Sequence, residues 1–177
     1  MSGGSSTPRA PSHIDLTGPV DAALGGGVGQ LRMASEEIER VPSGEPYDWF
    51  QRATELLASG NSDAAAQLLE HLVAADPTSQ SALEAYGRAL FDARRFADAA
   101  VTFTELLEIA PANDYAHFGL GMSLWQAQEF TTARDHLAMA FVMKPENAEY
   151  SRALGQVTAT LRARLAGGLP LNGPVNP

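Results

Sequence analysis

The chain has 177 residues, enough for one domain or a short repeat array with its own core. Twelve Lys and Arg against 21 Asp and Glu give a formal charge of −9, which speaks against nucleic acid or an anionic membrane as partner, since both reward clustered cations. The lack of cysteine excludes disulfides, thiolate catalysis and Cys-ligated metal centres.

Residues 1–45 hold eight of the 16 glycines, four of the 11 prolines and six serines. A segment so poor in apolar side chains cannot offset its ordering entropy and is expected to be a disordered leader. Within it, Val28, Leu31, Ala34, Ile38 and Val41 recur at spacings of three and four. That is the pattern of a short amphipathic helix, stable only when docked. The glycine cluster from Gly25 to Gly29 has no strand pattern before it and no Gly-Lys-Ser/Thr after it, so it reads as linker rather than phosphate loop. No apolar stretch follows the first residues to form a signal peptide, and no run nears the roughly 20 residues of a membrane span. A cytoplasmic protein is expected.

From Pro46 to Ala166 the chain is rich in Ala and Leu with helical periodicity. Pro77, Pro111 and Pro145 are 34 residues apart, and Gly87, Gly121 and Gly155 repeat the same interval. A period shared by two residue types marks internal repeats. With units starting at Pro46, Gln80, Asp114 and Ala148, a small residue falls mid-way along each first helix, at Ala53, Gly87, Gly121 and Gly155. The second helices carry Ala65, Ala99 and Ala133, each followed four residues later by a bulky one, Leu69, Phe103 and Leu137. Small residues let the helices of a hairpin approach, and the bulky ones fill the space between them. The prolines stop each second helix, Ser81 with Glu84 forms a candidate capping box, and Asn113 or Asp114 caps the third unit. The final helix, with Arg152, Gln156, Arg162 and Arg164 among its apolar residues, has the polar face needed to close a stack. The Gly/Pro-rich stretch 167–177 is expected to be a flexible tail.

These residues resemble the tetratricopeptide repeat of the small bacterial type, over 46–147 fully and over 148–166 as a lone helix. The resemblance implies an all-α, right-handed solenoid of three helix-turn-helix repeats (46–79, 80–113, 114–147) with a C-terminal capping helix, 148–166. It further implies that the first helices face a concave groove, into which positions 2, 5, 9 and 12 of each unit point. The partner-binding candidates so obtained are Tyr47, Phe50, Thr54, Glu84, Arg88, Phe91, Tyr115, Phe118, Met122, Trp125 and Arg152, with Leu57, Ser81, Glu149 and Gln156 beside them. Leu57, Phe91 and Trp125 can equally pack between neighbouring first helices. An aromatic groove holding Arg88 and Arg152 suits an apolar peptide that carries one acid. Family members that clamp the carboxylate terminus of chaperones use Lys and Asn in the first unit and basic residues in the third. Phe50, Thr54, Tyr115 and Gly119 stand at those positions, so that clamp is missing.

Little else in the sequence carries chemistry. His13, His71, His117 and His136 share no metal-ligand spacing, although His117 and His136 fall on the two helices of one repeat and read as packing neighbours. Glu36/Glu37 and Glu105/Glu108 fall on expected solvated faces. No enzyme, cofactor or metal site is expected. The reading that follows is a scaffold or adaptor that takes a peptide from another protein. The alternatives are a secretion-type chaperone of three repeats and self-association, including a homodimer, through the Val28–Val41 helix.

Overall fold

The computed structural model describes residues 44–175. The leader and its Val28–Val41 helix lie outside the described residues. Seven helices follow one another: α1 (Pro46–Ala58), α2 (Ser62–Ala75), α3 (Gln80–Asp92), α4 (Phe96–Ile109), α5 (Asp114–Gln126), α6 (Phe130–Met143) and α7 (Ala148–Ala166). Among the described residues there is no strand, and the chain is an all-α solenoid of three hairpins, α1–α2, α3–α4 and α5–α6, closed by α7.

The joints are built the same way each time. The first helix of every hairpin ends in a paired 6→1 and 5→2 bond: Asn61 N–H donates to Leu56 O and Gly60 N–H to Leu57 O, and Arg95/Leu90 with Arg94/Phe91 and Glu129/Leu124 with Gln128/Trp125 repeat the motif. The residue at its corner is left-handed, with φ of 79° at Gly60, 62° at Arg94 and 64° at Gln128. Only the first hairpin has glycine there; the other two hold an L-residue in a sparsely populated conformation. Between hairpins, Pro77, Pro111 and Pro145 sit just past the second helices, and Ser79, Asn113 and Asn147 then cap α3, α5 and α7. Their side-chain oxygens accept the N–H groups of Ala82 (3.4 Å), Ala116 (2.8 Å) and Glu149 (2.9 Å). The expected Ser81–Glu84 box is thus displaced: α3 begins at Gln80, so Ser81 already lies in its first turn and Ser79 holds the capping position.

Packing turns on the small residues. A Cβ added at Gly87 would lie 2.8 Å from the Phe103 ring, and one at Gly121 would lie 2.7 Å from Leu137 Cγ, so both glycines admit the bulky residue of their own hairpin. The Phe103 ring, 1% exposed, also presses on Gly119 in the next hairpin, where a Cβ would clash still more closely. The residue matching Gly119 is Ala85 after Leu69 and Ala153 after Leu137. A phenyl in place of isobutyl is therefore matched by a glycine in place of alanine. Gly155 differs: nothing lies within 4 Å of where its Cβ would be, and among the described residues no second helix packs on α7 there.

Successive first helices touch, α1 with α3, α3 with α5 and α5 with α7, whereas the second helices α2, α4 and α6 make no comparable approach to one another. The row is therefore tighter on the first-helix side, which makes that side concave. No described helix is long and apolar enough to cross a membrane.

The far end is not loose as expected. Arg164, 8% exposed, stacks 4.9 Å over the Phe130 ring and donates from Nε to Pro170 O and from Nη2 to Gly173 O, both at 2.6 Å. Asn172 Oδ1 accepts the backbone N–H of Thr131 at 3.0 Å, and Gly173 N–H donates to Gln128 O at 2.9 Å. The residue before α6, Glu129, provides no side-chain cap, so Asn172 supplies one from the tail. The Gly/Pro content of this stretch reflects a fold-back. Arg164, expected on a solvated face, is its buried anchor.

His117 and His136 do meet. Their rings stack at 5.4 Å, with Nδ1 to Nδ1 at 3.1 Å, and His117 Nε2 lies 3.1 Å from Pro111 O. A carbonyl only accepts, so His117 carries its hydrogen on Nε2, its Nδ1 accepts, and His136 Nδ1–H donates. A proton taken up by His136 enters at its Nε2 and leaves this hydrogen bond in place. Burial and then the neighbouring His117 hold His136 below its ordinary pKa of 6.5.

Two outcomes follow. Gly119→Ala, although alanine favours a helix, should lower stability by about 1–3 kcal/mol through overpacking against Phe103, while Gly155→Ala should raise it by about 0.5–1 kcal/mol; urea melts of both variants read the opposite signs. For the histidines, the unfolded chain takes up protons more readily than folded His136, so the pair's stabilisation is complete above about pH 6.5 and is lost as pH falls below it. The Tm difference between the parent and His136→Leu should shrink on going from about pH 7.5 to about pH 5.5; a constant difference would contradict the burial of a neutral His136.

Candidate functional site

The concave side carries two adjoining hollows. The first, of about 490 Å³, lies between α1, α3 and α5 and is lined by Phe50, Thr54, Leu57, Gln80, Ser81, Glu84, Ala85, Arg88, Asn113 and Tyr115. The second, of about 390 Å³, lies between α3, α5 and α7; Arg88, Phe91 and Asp92 form one wall, Tyr115, Phe118, Met122 and Glu149 the other, and Phe103 with Gly119 the floor. Arg88 and Tyr115 belong to both, so the hollows form one continuous groove.

Of the eleven residues singled out from the sequence, eight line this groove: Phe50, Thr54, Glu84, Arg88, Phe91, Tyr115, Phe118 and Met122. Three do not. Tyr47 opens α1, is 70% exposed and accepts a hydrogen bond from Gln51 Nε2 at 3.0 Å. Trp125 packs against the cluster formed by Phe130, Leu137, Val157 and Leu161, joining α5 to α6 and α7. Arg152 is exposed on α7 and reaches neither hollow. Asp92, Asn113, Phe103 and Gly119 line the groove without having been singled out for it. Asp92 was legible as the acid four residues after Arg88, whereas the floor needed the spatial meeting of Phe103 with the next hairpin.

An aromatic run fixes the groove's shape. Phe103 meets Tyr115 edge-on at 6.2 Å, Tyr115 lies 6.4 Å from Phe118, and Phe118 stacks on Tyr150 of α7 at 4.8 Å. Phe91 is braced edge-on by Phe96 at 5.3 Å. Buried Tyr150 donates its hydroxyl to Asp114 Oδ2 at 2.8 Å, and Lys144 Nζ holds Asp114 Oδ1 at 3.0 Å, which ties α5, α6 and α7 together below the rings. Burial pushes the Asp114 carboxyl up, but these two partners more than offset it and leave its pKa below the usual value.

The polar groups are spaced along the same line. Arg88 Nε pairs with Asp92 Oδ2 at 3.6 Å, and Glu84 Oε2 accepts from Asn113 Nδ2 at 3.4 Å. Thr54 donates its hydroxyl to Phe50 O at 2.9 Å. Burial raises the Tyr115 hydroxyl above its ordinary pKa; Arg88 opposes this, and Glu84, Asp92 and Glu149 add to it. Among the described residues no three His, Asp or Glu side chains form a metal-holding group. The arrangement offers ring faces, apolar pockets and a few charges, which suit recognition of an extended or helical segment.

A search of curated protein sequences finds no match. Among solved structures, the chain superposes on the first TPR of Spaghetti (RPAP3) bound to the HSP90 peptide SRMEEVD, with a TM-score of 0.64 at 18% identity, covering 69% of this chain and 97% of that one. The Sgt2 TPR domain from Aspergillus fumigatus gives 0.66 at 14% identity, over 76% and 91% of the two chains. MamA residues 41–end from Desulfovibrio magneticus RS-1 gives 0.65 at 17% identity, over 81% of each. At these identities the likeness is one of fold. Two family models described as tetratricopeptide repeat match residues 50–114 and 90–157, together more than half of the sequence, and with the three hairpins of 34-residue period they show that the chain belongs to the tetratricopeptide repeat family.

Proposed function

We propose that this protein is a non-enzymatic interaction scaffold whose concave groove takes a peptide segment of another protein. The observation that carries the reading is the continuous groove running from Phe50 on α1 to Glu149 on α7, walled by aromatic and apolar side chains. Thr54 and Arg88 stand exposed on it, while Phe50 and Met122 are partly buried, each with one side against the core and the other lining the groove. Core stability does not account for the place of Thr54 and Arg88 on this face, and a rim of charge around apolar pockets is the usual anatomy of a recognition surface. The related fold of Spaghetti (RPAP3) bound to an HSP90 peptide supports the use of such a surface for peptides.

The ligand differs from that one. Phe50, Thr54, Tyr115 and Gly119 offer no cation to a terminal carboxylate, and Arg88, the one arginine lining the groove among the described residues, faces Asp92. The secretion-chaperone and self-association readings depend on residues 1–43 or on clients, and no described observation favours them.

Full-length protein should select peptides from a phage-displayed dodecapeptide library, and Phe50→Ala/Met122→Ala should lose them by about tenfold or more while circular dichroism shows unchanged helicity. Equal retention by the two proteins would place recognition elsewhere. Fluorescent SRMEEVD should not bind the full-length chain; saturable binding by anisotropy would restore the carboxylate-clamp reading.

A further inference from the structure

The electrostatics of the groove narrow the choice of partner. Tyr115 sits where the two hollows join, and one cation and three carboxylates act on its hydroxyl: Arg88 against Glu84, Asp92 and Glu149. Arg88 already faces Asp92 at 3.6 Å. Glu84 accepts only from the neutral Asn113 amide, and Glu149 has no ion-pair partner among the described residues. Lys144, the next cation along this side, is held by Asp114 at 3.0 Å, and Arg152 reaches neither hollow. The two arginines that suggested an acid-bearing ligand are thus neutralised or absent from the groove, and two carboxylates are left over.

Resting on the peptide-binding reading above, we infer that the groove takes a basic peptide segment, with an arginine or lysine side chain seated on the Tyr115 ring between Glu84 and Glu149 and apolar side chains in the hollows to either side. An aromatic face attracts a cation within about 6 Å of its centroid, and carboxylates beside it supply charge-assisted hydrogen bonds to the guanidinium or ammonium. The flanking hollows, with Phe50 and Leu57 at one end and Phe91 and Met122 at the other, accept the apolar neighbours. An acidic residue in the same place would meet unpaired like charges, so the groove discriminates by repulsion as well as by attraction.

The test uses full-length protein on beads with a random dodecapeptide library, capped at both ends, and mass-spectrometric sequencing of what is retained. Retained peptides should be enriched about fivefold or more in Arg plus Lys over Asp plus Glu, and the enrichment should fall to the input level in about 0.5 M NaCl and in Glu84→Gln/Asp92→Asn/Glu149→Gln. A control removing three exposed carboxylates outside the groove, Glu70→Gln/Glu105→Gln/Glu108→Gln, should keep it. Equal loss in that control would assign the effect to the net charge of −9 and overturn the inference. So would retained peptides that depend on Phe50 and Met122 yet carry no excess of cations, an outcome that leaves the peptide groove itself standing. Retention that is indifferent to Phe50 and Met122 would overturn both.

Discussion

The Phe103 ring, clasped between Gly87 of its own hairpin and Gly119 of the next, is the constraint around which the rest is arranged. It closes the α3–α4 hairpin, joins it to α5 and emerges on the concave side as the floor beneath Arg88, Tyr115 and Met122. One side chain thereby links the interior of the stack to its recognition face. Each of the two glycines removes a methyl that would hold the helices apart. Any change in the ring moves the groove floor as well as the core, so stability and binding are coupled at this position more tightly than at Leu69 or Leu137.

The concave surface then follows from repeat geometry plus a few departures from regularity. Aromatic residues recur on the first helices, but only α5 places three large groups, Tyr115, Phe118 and Met122, along one groove wall. The α7 helix contributes Glu149 and the stacked Tyr150, so the closing helix also completes the site. The Asp114–Lys144–Tyr150 link fixes the distance between α5 and α7, and with it the width of the second hollow.

Much of this was legible in the sequence because the repeat imposes one physical problem three times. Prolines 34 residues apart mark the ends of second helices, and the small and bulky positions of each hairpin show which faces must meet. The failures came where a residue answers to something outside its own repeat. Trp125 is aromatic at a groove-facing position, yet the α6–α7 cluster draws it inward. Arg164 and residues 167–173 look polar and loose, but the guanidinium finds three backbone carbonyls and a phenyl ring there. Ser81 lost the cap to Ser79 because the preceding turn at Pro77 fixes where α3 begins. Gly119 was visible as a glycine, but its meaning required pairing Phe103 with its neighbour in the next unit rather than reading each unit alone.

The contact between first helices, with none between second helices, has a mechanical consequence. Bending that widens the groove brings the outer helices towards one another, and it must also shear the faces along which each second helix packs on the first helix of the next hairpin, α2 on α3 and α4 on α5. Such a body is a stiff coil spring: adjoining hairpins are joined about as extensively as the helices within one, so its curvature is built in by the packing. A segment seated in the groove would meet a pitch already set by these joints, so little ordering of the coil would oppose its binding.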